Sequence, residues 1–416
     1  MALWLLDHLA SLGSEAARWT PAAAFGKITP RASLAAMVGF LLAVLLGPRL
    51  IAWLSRRFRE PIKSDSPEIR RLHQAKQATP TMGGLFIIAG LLGGTLLLGD
   101  LSNRYVLLAL WVTGGLTIVG AIDDLVKLRT PGNGLSPWRK LAGQITVALV
   151  AAVVLYRDHA ALADGLVLPP PLMGSGLSLG VAFIPLAVLV IVGASNAANL
   201  TDGLDGLAGG CLVCATAAMT LATYAAGHAQ WAAYLNLPHI PGCGEMTVLA
   251  AGMIGGLTGF LWFNCHPAQV FMGNTGALPL GGLLGLLAVV ARQELLLVVV
   301  GGVFVVEAGS VILQVGWYKW CGRRLFRCAP LHHHFQFLGW PENKIVVRFW
   351  IAAALCALLG MAGLKLDMSQ RVDRFQERWI QARSASEESV PDPRLRFGLQ
   401  QESPRNEVAQ FQEQAP

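Results

Sequence analysis

The feature that most constrains this chain is the recurrence of apolar runs, each about as long as a bilayer-spanning helix, which needs roughly 20 residues. Only 14% of the residues are charged, against about 25% in soluble domains. Backbone polar groups in lipid must be paired within the segment itself, and such runs achieve this as helices. The sequence predicts an all-α, polytopic integral membrane protein of about ten transmembrane helices, at 33–54, 82–100, 104–122, 140–156, 179–198, 207–226, 246–263, 276–292, 295–317 and 346–366.

The net charge of +7 follows from basic loops and does not indicate a nucleic-acid partner. Residues 55–80 hold seven Lys/Arg, residues 124–140 hold four and residues 319–348 hold six, whereas the connections 101–104 and 292–294 hold one each. Cytoplasmic loops are enriched in Lys/Arg. We therefore expect the three basic loops inside and, with ten spans, both termini on the non-cytoplasmic side.

The composition divides the chain into two regions. Residues 1–368 form the predicted membrane domain, and the polar segment 369–416 is predicted to be a disordered tail, since it cannot bury a core. The Pro- and Gly-rich stretch 157–178 is predicted to be an outside loop that could include a small hairpin. Cys211 and Cys214 lie in an apolar span without a second pair or a nearby His, so packing is a better interpretation than a zinc site.

An acidic pair stands at the end of an apolar run, in AIDDLVKL at 121–128. Asp123 and Asp124 could belong to a solvated helix end, but acidic residues there oppose the helix dipole. Carboxylates at a membrane boundary are functional by default. Two neighbouring carboxylates suit Mg²⁺ binding and proton abstraction.

A second polar cluster is NAANLTDGLDGLAGG at 196–210. Asn196, Asn199, Asp202 and Asp205 are spaced by three and would share a face if the segment were helical. Neighbouring glycines allow a ligand to approach the backbone closely. A nucleotide or metal site explains these groups better than a structural loop does.

Three further segments complete the set. KQATPTMGG at 76–84 offers Lys76 for phosphate and Thr81 at a helix start, although an inside Lys is expected anyway. FMGNTGALPLGG begins another helix at 271–282. LHHHFQFLGWPENKIVVRFW at 331–350 holds three consecutive histidines, which cannot all face one point on a helix. A His₃ zinc site is therefore disfavoured, and a bent loop that aims one or two rings at a phosphate is preferred.

Together these segments resemble the polyprenyl-phosphate sugar-1-phosphate transferases over about residues 33–366. The Asp-Asp pair and NAANLTDGLDG mark the superfamily, and HHHFQFLGWPENKIVVRFW marks its muramoyl-pentapeptide branch. The resemblance implies a Mg²⁺-dependent enzyme of the bacterial inner membrane with its active site on the cytoplasmic face. Its substrates would be UDP-N-acetylmuramoyl-pentapeptide and undecaprenyl phosphate, and its products lipid I and UMP. Membrane lipid and a second copy, in a homodimer, are the other implied partners.

The resemblance also implies the roles of individual residues around the phosphates. Asp123 is similar to the carboxylate that deprotonates the lipid phosphate or attacks in its place. The groups implied to hold or orient phosphates and the sugar-peptide end are Asp124, Lys76, Thr81, Asn196, Asn199, His332, His333 and His334. Those implied to form the uridine pocket or to lie beside it are Lys127, Gly203, Leu204, Asp205, Asn264 and Phe271.

The metal site departs from the pattern of the family. Asp202 is the implied metal-site carboxylate, and Asn274 stands in FMGNTGALPLGG where the family usually has a Mg²⁺-binding Asp. An amide keeps one oxygen ligand but removes a charge, so weaker Mg²⁺ binding is expected. A catalytically impaired homologue is therefore an alternative.

Two other kinds of function are compatible with an apolar chain that carries polar clusters. A transferase of N-acetylglucosamine 1-phosphate would use the same chemistry, but the histidine segment argues against it. The alternative of a different class is a lipid transporter or a binding protein derived from an enzyme. A transporter should place polar groups near the bilayer midplane and often shows inverted repeats. Here the polar groups stand at helix ends, and no repeat is evident, so an enzyme is favoured.

Overall fold

The computed structural model describes residues 26–58, 79–130, 134–162, 165–168, 177–235 and 237–366. The chain divides into a unit of Met1–Ala362 and a second of Gly363–Pro416, and the predicted tail 369–416 lies outside the described residues. The helices are α1 (Ile28–Arg57), α2 (Gly84–Leu98), α3 (Arg104–Arg129), α4 (Pro137–Ala160), α5 (Phe183–Thr201), α6 (Leu207–Gly227), α7 (Ala229–Leu235), α8 (Met246–Asn264), α9 (Asn274–Val290), α10 (Glu294–Val300), α11 (Gly302–Cys321), α12 (Leu331–Phe337) and α13 (Glu342–Leu366).

The all-α membrane architecture predicted from the sequence is confirmed. Within the described residues, seven helical segments are long and apolar enough to cross a bilayer. The bent pair α10–α11 would make an eighth span, and α2 and α9 are shorter apolar helices. Large apolar side chains such as Ile118, Leu189 and Ile312 are 61–72% exposed on the helix surfaces, as expected where lipid is the solvent. The count of ten spans and the side of the termini stay predictions.

One predicted span is broken in the structure, and the hairpin expected in one predicted loop is present. The run 295–317 was predicted as one span, but it breaks at Gly301, where α10 and α11 meet at 85°. Adjacent glycines at 301 and 302 weaken the helix there. The stretch 157–178 does contain a small hairpin, formed by the antiparallel strands β1 (Val167–Leu168) and β2 (Leu177–Ser178).

Helix α9 lies at the centre of the bundle, and every one of its residues is buried. It packs on α5, where a β-carbon at Gly281 would press against the Ala194 carbonyl, and on α3, where Gly120 contacts the Asn274 carbonyl. Helices in a membrane approach closely through small residues. The N-terminus of this central helix is therefore held firmly between its neighbours.

Close packing of backbone on backbone yields a stability prediction. A β-carbon at Gly84, the first residue of α2, would overlap the Cα of Gly276 in α9. Since no side chain can move aside, we expect Gly84→Ala to destabilise the protein by about 1–3 kcal/mol. Gly114, in the interior of α3, has open space around it, and Gly114→Ala should be neutral or stabilising by up to about 1 kcal/mol. Thermal unfolding in detergent compares the two, and equal melting temperatures would contradict the packing described.

Candidate active site

A polar cavity of about 370 Å³ opens where the ends of several helices meet. Its volume lies within the range of small-molecule sites. Many of the residues selected from the sequence line it, although they are far apart in the chain. The lining residues are Thr81, Asp124, Lys127, Asn199, Asp202, Gly203, Leu204, Asp205, Asn264, Phe271, Gly273 and Asn274.

The acidic pair stands in the last two turns of α3, which continues to Arg129 instead of ending at the pair. Both carboxylates are buried. Asp124 binds the N-terminus of α9: it accepts hydrogen bonds from the backbone N–H of Asn274 (3.2 Å) and of Thr275 (2.9 Å), and from the Thr275 hydroxyl (2.7 Å). Asp124 thereby places Asn274 in the cavity.

Asp123 has different partners. Its Oδ1 accepts a hydrogen bond from the Leu135 N–H at 2.7 Å. Its Oδ2 accepts one from the Asn274 side-chain amide and lies 3.6 Å from the Nζ atoms of both Lys127 and Lys140. One carboxylate oxygen therefore faces two cations, which lie close enough to help neutralise an anionic substrate bound beside them.

Lys140 was not selected from the sequence, because a Lys at the start of a span on a basic loop is ordinary. Its Nζ donates to Asn199 Oδ1 at 2.9 Å, besides its ion pair with Asp123. The Asn199 amide in turn donates to Asn274 Oδ1 at 2.5 Å. Asn274 thus bridges Asn199 and Asp123, so both ends of its amide are used.

The segment of four residues spaced by three does not form one helical face. Helix α5 ends at Thr201, and Asp202 and Asp205 lie in the turn before α6, where Gly206 has φ +80°. Asn196 lies on α5 but donates to Gln144 Oε1 on α4 and is not among the cavity-lining residues. The helical spacing was therefore a wrong guide to which residues meet.

The turn after α5 brings Asp202 to the cavity. Burial, together with the nearby Asp124 carboxylate, raises the pKa of Asp202 to about 7. The Gly273 backbone N–H lies close enough to stabilise the charged form of Asp202, so this turn is near the start of α9. A cation beside Asp202 and Asp124 would offset the repulsion between them.

Asp205 and Asn264 hold the loops on the other side of the cavity. Asp205 Oδ2 accepts a hydrogen bond from the Ala268 N–H at 3.1 Å and lies 3.0 Å from His266 Nδ1, and the Asp205 N–H donates to Glu342 at 2.9 Å. Asn264 accepts from the Gly206 N–H and donates to the Val270 carbonyl. Sequence reasoning missed His266 and Glu342, because neither residue belongs to a periodic pattern or to a run of charges that would distinguish it from its neighbours.

Thr81 and Phe271 are placed by backbone pairing between two loops. The Phe271 N–H donates to the Pro80 carbonyl, and the Gly83 N–H donates to the Phe271 carbonyl, both at 2.8 Å. Met82 between them has φ +68°, a costly conformation for a side chain that tends to occur at functional sites. Lys76 lies outside the described residues.

The three consecutive histidines point in different directions, as expected. His332 Nδ1 lies 3.0 Å from a carboxylate oxygen of Glu307, and a β-carbon at Gly203 would overlap its Nε2. His333 Nδ1 pairs with Gln336, and His334 Nδ1 accepts from the Arg327 N–H. His332 thus contacts a cavity-lining residue, and it does so from the short helix α12 where a bent loop was expected.

The oxygen atoms around α9 suit a hard cation, but they do not form a closed cage. Mg²⁺ is typically held by one or two carboxylates, water and substrate phosphates. Asp202 and Asp123 can supply carboxylate oxygens, since each oxygen of Asp123 accepts a single hydrogen bond, whereas Oδ2 of Asp124 accepts two and both ends of the Asn274 amide are used. Among the described residues, the group of three His and carboxylate ligands within 4.8 Å of one another is a different one, Asp205, His266 and Glu342.

Comparison with known proteins adds to this geometry. The model of a family described as glycosyl transferase family 4 matches residues 106–292. A curated protein of Solidesulfovibrio magneticus, named phospho-N-acetylmuramoyl-pentapeptide-transferase, is 46% identical over 350 residues. The match covers 82% of this chain and 95% of that protein, so it includes every described element of the cavity.

Proposed function

The chain belongs to the phospho-N-acetylmuramoyl-pentapeptide-transferase family, and on that basis we propose how its cavity performs the transfer. The reaction moves phospho-N-acetylmuramoyl-pentapeptide from its UDP carrier to undecaprenyl phosphate, giving lipid I and UMP. The observation that carries the assignment of the site is the meeting of Asp123, Lys127, Lys140 and Asn199 where the ends of the three helices α3, α4 and α5 come together. Phosphoryl transfer needs charge neutralisation and alignment more than covalent chemistry, and this cavity provides both.

Asp123 is the group best placed to take the proton of the acceptor phosphate. An oxygen of the lipid phosphate then attacks the phosphorus bonded to the sugar, the bond from that phosphorus to UMP breaks, and UMP leaves. Lys127 and Lys140 stabilise the charge that develops on the diphosphate, since both Nζ atoms already lie 3.6 Å from Asp123. Direct attack by the lipid phosphate is preferred to a covalent intermediate.

Asp202 and Asp123 would hold Mg²⁺ together with the phosphates of the donor. When bound, the ion would supply further neutralisation of the phosphate charge. The raised pKa of Asp202 supports this role, because burial and the nearby Asp124 carboxylate disfavour its charged form, and a nearby cation would offset both effects. Asn274 lowers the number of charged ligands by one relative to the usual pattern of the family.

The nucleoside of the donor would occupy the part of the cavity lined by Gly203, Leu204, Asp205, Asn264 and Phe271. Phe271 offers a ring face for a base, and Asp205 offers a carboxylate to ribose or base N–H groups. Asn264 is occupied by the backbone at both ends, so we assign it to shaping this pocket. Its implied position beside the uridine is kept, without a direct contact.

The cavity would face the cytoplasm, where the nucleotide donor is made. Lys127 and Lys140, from one basic segment, lie beside Asp123 near the cavity. His332, from the basic segment 319–348, lies against the cavity-lining Gly203. This agrees with the bias of Lys/Arg to inside loops. A homodimer stays a prediction.

UMP release by the purified protein in detergent tests the function. With undecaprenyl phosphate and Mg²⁺, we expect UDP-N-acetylmuramoyl-pentapeptide to be turned over at least about 100-fold faster than UDP-N-acetylglucosamine, because a site built for hydrogen bonds to one substrate rejects another that lacks them. Faster turnover of UDP-N-acetylglucosamine would favour the alternative transferase. No UMP from either donor would indicate an impaired homologue.

A further inference from the structure

Glu307 is a single carboxylate in the apolar run VFVVEAGSVILQ of α11. Its side chain is completely buried. Ionisable residues within membrane helices are costly and mark functional positions by default. Its hydrogen bonds show what this carboxylate does.

Both carboxylate oxygens of Glu307 face one residue, His332. Oε1 accepts a hydrogen bond from the His332 backbone N–H at 3.1 Å, and Oε2 lies 3.0 Å from Nδ1 of the His332 ring. Because a carboxylate only accepts, the ring proton sits on Nδ1. Glu307 therefore fixes the position of the first turn of α12 and the tautomer of the ring.

The other ring nitrogen, Nε2, lies against Gly203, a residue that lines the cavity. It is buried without a hydrogen-bond partner among the described residues, and it lies so close to the Cα of Gly203 that a β-carbon there would overlap it. A buried polar atom without a hydrogen-bond partner costs free energy. Because Nε2 lies against a glycine that lines the cavity, a substrate bound there would supply the missing partner. His333 and His334, by contrast, bind Gln336 and the Arg327 N–H within their own segment.

We propose that Glu307 is a positioning residue for the transfer reaction, which holds His332 so that Nε2 meets the donor nucleotide-sugar bound over Gly203. The inference rests on the proposed function. The carboxylate orients the imidazole through Nδ1, as carboxylates orient catalytic histidines in other enzymes. Glu307 itself does not touch the substrate.

Glu307→Gln is the sharpest test, since it keeps the shape of the side chain. The backbone N–H of His332 still needs an acceptor, so the amide oxygen takes that place and the NH₂ group faces Nδ1. Nδ1 must then accept, and the ring proton moves to Nε2. We expect kcat for UMP release to fall about 10- to 50-fold, with KM for the donor changed less than about threefold, because an oriented contact is lost in the transition state.

A double-mutant cycle separates positioning from general loosening. His332→Asn should lower kcat by a similar factor, and Glu307→Gln added to His332→Asn should lower it no further, since Glu307 acts only through that ring. Ser310→Ala is the matched control: Ser310 is buried on the same helix and binds only the Glu307 backbone carbonyl. It should keep wild-type kcat.

The outcomes are distinct. Losses that multiply in the double variant would overturn the inference, and so would unchanged turnover in Glu307→Gln. In both cases, UMP release by the wild-type protein still supports the proposed function. A wild-type protein that releases no UMP would instead reject the proposed function. Thermal unfolding of each variant in detergent identifies a loss that comes from misfolding, and kcat is then calculated per folded molecule, so that the cycle compares only correctly folded protein.

Discussion

Asp123→Asn is expected to lower UMP release by about 1000-fold, the scale of losing a general base together with its charge. Oδ1 of Asp123 accepts from the Leu135 N–H, so an asparagine oxygen can keep that contact. Oδ2 accepts from Asn274 and faces Lys127 and Lys140 at 3.6 Å. An amide NH₂ there would face another NH₂ and two cations. Steady-state UMP release with the muramoyl-pentapeptide donor measures the loss.

Part of that loss could come from the two opposed amides instead of from chemistry, and a charge-swapped control separates the two. Asp123→Asn combined with Asn274→Asp restores one amide and one carboxylate at the same contact, with the two residues exchanged. We expect the double variant to recover the melting temperature of the wild type but not its turnover. Turnover within about tenfold of the wild type would show that the charge in this pair matters and its position on α3 does not.

The membrane architecture could be predicted from the sequence because the solvent sets the length of each element. Apolar runs such as 207–226 and 246–263 correspond to α6 and α8 within one residue. The break at Gly301 could not be predicted, since a glycine pair is common in membrane helices and only tertiary packing decides whether the chain bends there. The contacts between helices in the bundle, and not the local sequence pattern, decide whether this helix breaks.

The site could be predicted in its residue types better than in its geometry. Asp124, Asn199 and Asp202 were selected because carboxylates and amides are costly beside lipid, and they do line one cavity. The same reasoning placed Asn196 with them, although it binds Gln144, because the spacing of three assumed a helix that in fact ends at Thr201. The polar residues indicated that a site exists, but the position at which α5 ends determines which of them line the cavity.

Lys140 and Glu307 show why other members were missed. A Lys at the start of an inside span is expected for topology alone, so only its contacts with Asn199 and Asp123 reveal a second use. A single Glu in an apolar run carries a stronger signal, since burial of a carboxylate is costly. It was overlooked because its partner, His332, lies 25 residues further along the chain.

Asn274→Asp is expected to lower the Mg²⁺ concentration for half-maximal turnover on the order of 100-fold, because a charged ligand replaces a neutral one. In the structure, the Asn274 amide donates to Asp123 and accepts from Asn199 at 2.5 Å. A carboxylate can still accept from Asn199, but it must face Asp123 without a proton between them. In the Asn274→Asp variant, a cation would therefore be needed between the two carboxylates, at the place that the side-chain NH₂ of Asn274 occupies in this protein.

The same geometry predicts an effect on stability that does not depend on turnover. Without Mg²⁺, Asn274→Asp should lower the melting temperature through like-charge repulsion with Asp123, and added Mg²⁺ should raise it again with a concentration dependence absent from the wild type. Asn274→Ala removes the amide without adding charge, so it should lose the bridge to Asn199 and gain no response to Mg²⁺. An unchanged Mg²⁺ titration of both turnover and melting in Asn274→Asp would place the cation away from the start of α9, and the departure at this position would then have no bearing on metal affinity.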